Sequence, residues 1–408
     1  MADPTPGRWR ALTFLSLAEL GALSLWFSAA AVLPSLSREW QLGDGGRAGL
    51  TIAVQAGFIV GTFASALANL PDIVSPRIVM LWSAVVGALL NVVLALWVGS
   101  LTPALALRFA TGLCMAGAYP PAMKIVATWF RSGRGLAIGI LVGALTLGSA
   151  APHFFRSLSD LPWRATLVAA SGLALLGALI LWLLVTEGPD RFPPARFDLH
   201  MAGAVFRERG PRLACFGYFG HMWELYAMWA WLGLFLGASL EAHGGGSSYL
   251  GLNAPAATFV TMGVGGALGA YAGGALADRW GRTTLTMAAM ALSGLTAATI
   301  GFTFGGPPAV TFFLAFLWGV TVIADSAQFS TAVTELCPPA YVGTALTAQT
   351  CVGFALTIIS IWLIPPVVRV VGWHWAFSLL APGPALGVLA MARLRGSPEA
   401  VRMAGGRR

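Results

Sequence analysis

Five ionisable side chains stand deep inside long apolar runs: Glu19, Arg108, His221, Glu224 and Asp325. A charge in hydrocarbon is costly, so each marks a place where the chain holds a proton, pairs charges or meets a polar solute. Glu19 is about ten residues into its run, hence ~15 Å deep at 1.5 Å per helical residue. Trp26, seven positions on, shares its helical face, and Glu224 with Trp231 repeats the spacing. Two carboxyls at matching depth suit a proton-binding pair, Glu19 with Glu224, and His221, three residues before Glu224, can share that proton. The alternative for each is a neutral, hydrogen-bonded packing carboxyl or half of a structural ion pair. Asp325 is the third acid, with Gln328 at i+3 and Thr321 one turn earlier on the same face. Arg108 either binds an anionic solute or pairs with a carboxylate or a backbone carbonyl. With Gly112 and Tyr119 it makes a polar stripe, whereas Lys124 lies around the helix and fits an interfacial position. Gln55 and Gln349 are lone amides that suit interhelical hydrogen bonds. Gln55 also joins Arg108, Tyr119, Trp26, Trp231 and Gln328 as a substrate-binding candidate. His153 is placed at the membrane interface.

Other chemistries find no residues to carry them. His-Glu-x-x-His and Gly-x-Ser-x-Gly patterns are missing, so no catalytic group is expected. The four cysteines, Cys114, Cys215, Cys337 and Cys351, show no metal-ligand spacing, and no metal or cofactor is expected. A phosphate-cradling glycine loop with lysine is also missing, which argues against ATP as the driving force.

The elements that hold these side chains follow from composition. Only 10% of residues are charged, 57% are hydrophobic and the mean hydropathy is +0.77. An ordinary soluble domain is about a quarter charged, so most of the surface here must face lipid. A spanning helix needs about 20 apolar residues. Apolar runs predict twelve helices near 9–36, 47–69, 77–99, 103–129, 134–155, 163–186, 212–240, 252–277, 283–304, 308–335, 341–366 and 373–394. The alternation a membrane barrel needs is not seen. The first run follows Arg8 and Arg10 but is too long for a signal peptide's apolar core and holds Glu19.

Of the 24 basic residues, 18 fall on the side of both termini, five on the other and one, Arg108, within a helix. Positive loops stay cytoplasmic, so both ends are placed inside. The net charge of +8 is then topology, and no nucleic-acid partner is implied. Composition rich in Arg, Ala, Gly and Pro with a single lysine suggests a bacterial chain, hence the inner membrane. The expected partners are a small solute, protons and the bilayer, with the chain acting as a monomer.

The longest polar interruption divides the chain into a six-helix unit at 1–186, a linker at 187–211 with Pro193-Pro194 and a short amphipathic helix, a second six-helix unit at 212–395 and a basic tail at 396–408. Three matches in order support an internal repeat. Glu19-Leu20 with Trp26 matches Glu224-Leu225 with Trp231, and Trp163-Arg164-Ala165 matches Trp373-His374-Trp375-Ala376. Arg134-Gly135-Leu136-Ala137 matches Val342-Gly343-Thr344-Ala345, and the three offsets are 205, 210 and 208.

With these features the chain resembles the major facilitator superfamily (MFS) of secondary transporters along essentially its whole length. Gly274 followed by Asp278-Arg279-Trp280-Gly281-Arg282 is similar to that family's cytoplasmic loop motif. Arg108-Phe109-Ala110-Thr111-Gly112 is similar to its helix 4 motif, and the tryptophan openings of helices 6 and 12 also fit. The resemblance implies an all-α membrane fold of two pseudo-symmetric six-helix bundles around a cavity lined by helices 1, 4, 7 and 10, opening alternately to either side. It implies a gate in which Asp278, Arg279, Gly281 and Arg282 meet the N-terminus of helix 5 at Gly133 to Gly135, whose dipole favours a carboxylate. In the first half Asn69 stands where the aspartate would be, so a symmetric second lock is not expected. Helix 5 carries Gly139, Gly143 and Gly148 before Pro152, an incomplete version of the drug-antiporter pattern. The stretch Trp129-Phe130-Arg131-Ser132-Gly133-Arg134-Gly135 is similar to branches that handle small anions. A proton-coupled transporter of a small solute, an anion among the candidates, is the expectation, with drug/proton efflux as the alternative.

Overall fold

The structure, a computed structural model, describes residues 6–130, 133–158, 162–190, 199–244, 246, 248–338 and 341–407; Arg131-Ser132 and the linker's Pro193-Pro194 lie outside these. Among the described residues there is no β-strand. Eleven helices are long and apolar enough to cross a bilayer. In chain order they are helix 2 (Asp44–Leu67), helix 3 (Pro76–Trp97), helix 4 (Leu101–Trp129), helix 5 (Arg134–Ser157), helix 6 (Trp163–Leu184), helix 7 (Arg209–Gly244), helix 8 (Ala254–Trp280), helix 9 (Arg282–Thr303), helix 10 (Pro308–Leu336), helix 11 (Val342–Val371) and helix 12 (Trp373–Arg395). Each lies within a few residues of its predicted run.

Helix 1 corrects the expectation of an unbroken span. It is built in three pieces, Arg8–Leu23, Ser28–Ala31 and Leu33–Glu39. Backbone groups freed in lipid need new partners, and serines flank the break to provide them. The Ser24 hydroxyl donates to Gly21 O (2.7 Å) and reaches Ala170 O on helix 6 (2.8 Å), while the Ser28 hydroxyl donates to Leu25 O (3.0 Å). Helix 4 is interrupted between Met115 and Tyr119, ahead of Pro120-Pro121, which lack the amide hydrogens to continue the ladder. Helix 10 turns at Asp325. Of the four helices expected to line the centre, only helix 7 is unbroken, over 36 residues.

Helices 1–6 and 7–12 form two bundles. The even number of crossings puts both ends on one face, called here the terminal face. Small residues allow the closest approaches. A Cβ on Gly57 would lie 2.0 Å from Phe109 O, one on Gly177 2.7 Å from Ala18 O, and one on Gly220 2.3 Å from Gly383 O. The bundles meet where helix 5 packs on helix 8 and helix 2 on helix 11. Outward faces carry Trp82 and Leu89 on helix 3, Leu176 and Trp182 on helix 6, Leu295 on helix 9 and Leu386 on helix 12, all exposed, as a lipid-facing wall requires. On the terminal face a short helix, Leu199–Arg207, precedes helix 7, which begins at Arg209, inside the stretch expected to be linker. The tail after helix 12 folds back, burying Ala400 and Met403.

Candidate functional site

Arg108 explains why helix 1 breaks where it does. Its guanidinium, 1% exposed, donates to Leu25 O (3.0 Å), Ser28 Oγ (3.0 Å) and Trp26 O, with a longer contact to Leu50 O on helix 2 (3.4 Å). A cation with five donors, spread over three backbone oxygens and a hydroxyl, does the work of a missing helical turn. Of the two sequence readings, the backbone carbonyls hold Arg108.

One turn and more toward the terminal face, Glu19 is fully buried, and neither carboxyl oxygen has a hydrogen-bond partner among the described residues. Tyr119 of helix 4 lies within electrostatic reach of Glu19 and of Tyr218 and Tyr226 on helix 7. Above Glu19, Trp26 enters a layer of rings drawn from both halves. It meets Phe58 (4.9 Å between centroids), Tyr226 (5.8 Å) and Phe354 (5.7 Å), and Phe58 stacks obliquely on Phe354 at 4.3 Å. Among the described residues the Trp26 indole nitrogen is buried without a partner, as is the amide of Gln55, one turn before Phe58. Gln349 is likewise unpartnered, so neither amide makes the expected interhelical bond.

The matching positions of the second half are satisfied. Glu224 accepts from Trp318 Nε1 (2.7 Å) on helix 10 and from Ser293 Oγ (2.9 Å) on helix 9. The indole of Trp231 donates to Ile361 O (3.0 Å). Asp325 of helix 10 lies within electrostatic reach of Glu224. His221 also turns to Asp325, with Nδ1 2.9 Å from Oδ1, both side chains buried. His153 is buried, its ring against Gly233 of helix 7.

At the terminal face the loop motif joins the halves. Gly281, with φ 87°, makes the reversal between helices 8 and 9 that a side chain would strain. Arg282, 6% exposed, makes a two-pronged pair with Glu335 (2.7 Å each) and donates to Gln328 Oε1 (2.7 Å). Gln328 is thus engaged by Arg282, whereas Asp325, one turn earlier, meets His221. Asp278 stands 3.9 Å from Arg282 and against Gly135, where a Cβ would be 3.0 Å from its Oδ2. Arg279 is exposed. The tail closes over this group: Ala404 N donates to Glu335 Oε2 (3.1 Å) and Arg407 to Asp278 O (2.5 Å). The opposite face is also joined, by Arg369 with Asp44 (2.6 Å) and by Asn253 Nδ2 donating to Ser157 O (3.1 Å). Contacts thus join the two bundles at both faces, Asp278 with Gly135 at one and Arg369 with Asp44 and Asn253 with Ser157 at the other.

Residues 15–361 match the description Major Facilitator Superfamily. The chain belongs to that family. As an MFS transporter it is a multi-pass membrane protein whose two bundles follow the family fold. Among solved structures it is similar to the human organic anion transporter MFSD10 (TETRAN), with a TM-score of 0.68 and 17% identity over 95% of this chain and 100% of that one. A comparison with curated proteins gives no match. Within this MFS frame, sequence reasoning missed Phe58, Tyr218, Tyr226 and Phe354. The signals open to it were the one-turn spacing of Phe58 from Gln55 and the position of Tyr226 beside Glu224.

Proposed function

We propose that the protein is a secondary transporter that moves a small organic solute through the central space by alternating access, coupled to protons at Glu19. The observation that carries this is a fully buried carboxyl without a hydrogen-bond partner among the described residues, beneath a layer of aromatic rings contributed by both halves. A carboxyl in that setting gains a partner only by binding a proton or a solute group, and the rings offer broad apolar contact to the rest of the solute. Glu224 is held by Trp318 and Ser293, and His221 pairs with Asp325 while its Nε2 has no hydrogen-bond partner among the described residues; this second group would relay or anchor rather than exchange.

This favours the efflux reading over inorganic anion uptake. An anion site needs a free cation, and Arg108 is held by helix 1 carbonyls. The likeness to MFSD10 supports the fold here and not the charge of the solute. The termini are assigned to the cytoplasm from the basic excess on their side, in a bacterial inner membrane, with the chain acting alone.

The test is transport by the reconstituted protein under an imposed pH gradient. Exchange for protons drives an amphipathic organic compound toward the acidic compartment. Movement of nitrate or a small carboxylate with protons toward the alkaline compartment, without transport of organic compounds, overturns the proposal. Glu19→Gln should uncouple transport from the gradient.

A further inference from the structure

Between helices 7, 11 and 12 an apolar groove of about 890 Å³ opens on the outer wall. Its bed is Phe216, Phe219, Leu386 and Leu389, with Phe216 46%, Leu386 65% and Leu389 54% exposed. It is lined at one end by Arg209, Arg212 and Arg393. Helix 7 starts and helix 12 ends at the terminal face, so all three guanidinium groups lie at the same membrane surface. The groove deepens where Gly220 lets helix 7 lie against Gly383, and it ends at Trp223, whose indole donates to Leu379 O (3.1 Å).

Its length fits one leaflet. From Arg212 to Trp223, and from Pro382 to Arg393, the chain rises through eleven residues. That is ~16 Å of helix, against ~15 Å for half of a 30 Å hydrocarbon layer. Charge complements shape. Among the described residues no ion pair joins Arg212 or Arg393 to a carboxylate, and Glu399 acts on Arg209 and on Arg402, which lies off the groove lining. Basic pockets between spanning helices suit anionic headgroups, and a bare apolar bed suits an acyl chain.

We propose that this groove binds one anionic phospholipid of the terminal-side leaflet, with its phosphate on Arg212 and Arg393 and an acyl chain along Phe216 and Leu386. The site stands outside the central space and does not depend on which solute is carried.

Detergent-purified full-length protein, exchanged into phosphatidylcholine, is titrated with phosphatidylglycerol, with more phosphatidylcholine, or with glycerol 3-phosphate. Bound lipid is read by native mass spectrometry and protection by melting temperature. The expected result is a single retained phosphatidylglycerol that raises the melting temperature, with retention falling roughly 30-fold in Arg212→Gln/Arg393→Gln. Arg207→Gln, a basic position on the same face but off the groove, should retain the lipid as the parent does. Should the double variant fail to purify, Arg393→Gln alone, at an exposed position, carries the test with a loss of roughly 5-fold. Equal retention of phosphatidylcholine, equal protection by glycerol 3-phosphate, or an equal loss in Arg207→Gln would each overturn the proposal.

Discussion

Glu19 and Glu224 occupy equivalent places in two repeated halves, each with a tryptophan seven residues on, yet the structure treats them oppositely. In the first half the helix is broken, the carboxyl has no partner and the Trp26 indole is unpaired. In the second half the helix runs unbroken, the carboxyl accepts from Trp318 and Ser293, and the Trp231 indole donates to Ile361. A satisfied buried group stabilises one arrangement, whereas an unsatisfied one is ready to take a new partner. Repetition in sequence thus supplied two similar positions, and the neighbours of each made one a strut and the other a candidate for exchange.

The contrast breaks most severely at Arg108, which maintains the interruption of helix 1. Arg108→Ala leaves the carbonyls of Leu25 and Trp26 buried without donors, an expected loss of about 3–5 kcal/mol by analogy with removing one partner of a buried charge pair. Thermal unfolding of the purified variant checks this, and Arg108→Lys should recover only part because an ammonium lacks the guanidinium fork. A melting temperature equal to the parent would mean that the break holds itself open.

Next in size is the asymmetry between the acids. Glu19→Gln should lower pH-driven transport by roughly 100-fold while leaving the melting temperature unchanged, since no bond is lost; a 100-fold effect corresponds to about 2.7 kcal/mol. Glu224→Ala should do the reverse. It strands the Trp318 indole and leaves the Ser293 hydroxyl only Met290 O (3.3 Å), at a cost of about 1–3 kcal/mol in stability, while gradient-driven accumulation falls less than in Glu19→Gln. Equal transport defects with equal stability in the two variants would restore the symmetric proton pair that the sequence suggests. At the gate, Glu335→Gln removes the two-pronged pair to Arg282 and should free the tail, read as faster proteolysis after Leu394.

The extent to which the sequence showed this in advance divides along physical lines. Span positions were legible to within a few residues because hydropathy is a sum over about 20 residues and tolerates local error. Glu19, Arg108 and Glu224 were legible because a charge in an apolar run is rare. The break in helix 1 was not. Ser24-Leu25-Trp26-Phe27 contains neither glycine nor proline, and its cause, Arg108, arrives from a helix some eighty residues later. Nor were the rings: with 23 Phe, 16 Trp and 6 Tyr, the sequence alone does not separate Phe58 and Phe354 from rings that face lipid. Gln328 was grouped with Asp325 on i,i+3 spacing, yet its amide oxygen accepts from Arg282 of helix 9, a partner that spacing along one helix does not reveal.

The smallest test concerns the two tryptophans. Trp231→Phe keeps the ring and deletes one hydrogen bond to Ile361 O, so it should cost about 1 kcal/mol in thermal stability and leave the transport KM unchanged. Trp26→Phe deletes an indole N–H that has no partner to lose, so stability should hold. If that N–H contacts the solute, KM rises instead, by about 5-fold for a bond of about 1 kcal/mol. A variant pair that shifts stability at both positions and KM at neither would place Trp26 among the packing residues and leave Glu19 as the sole point where the halves differ in function.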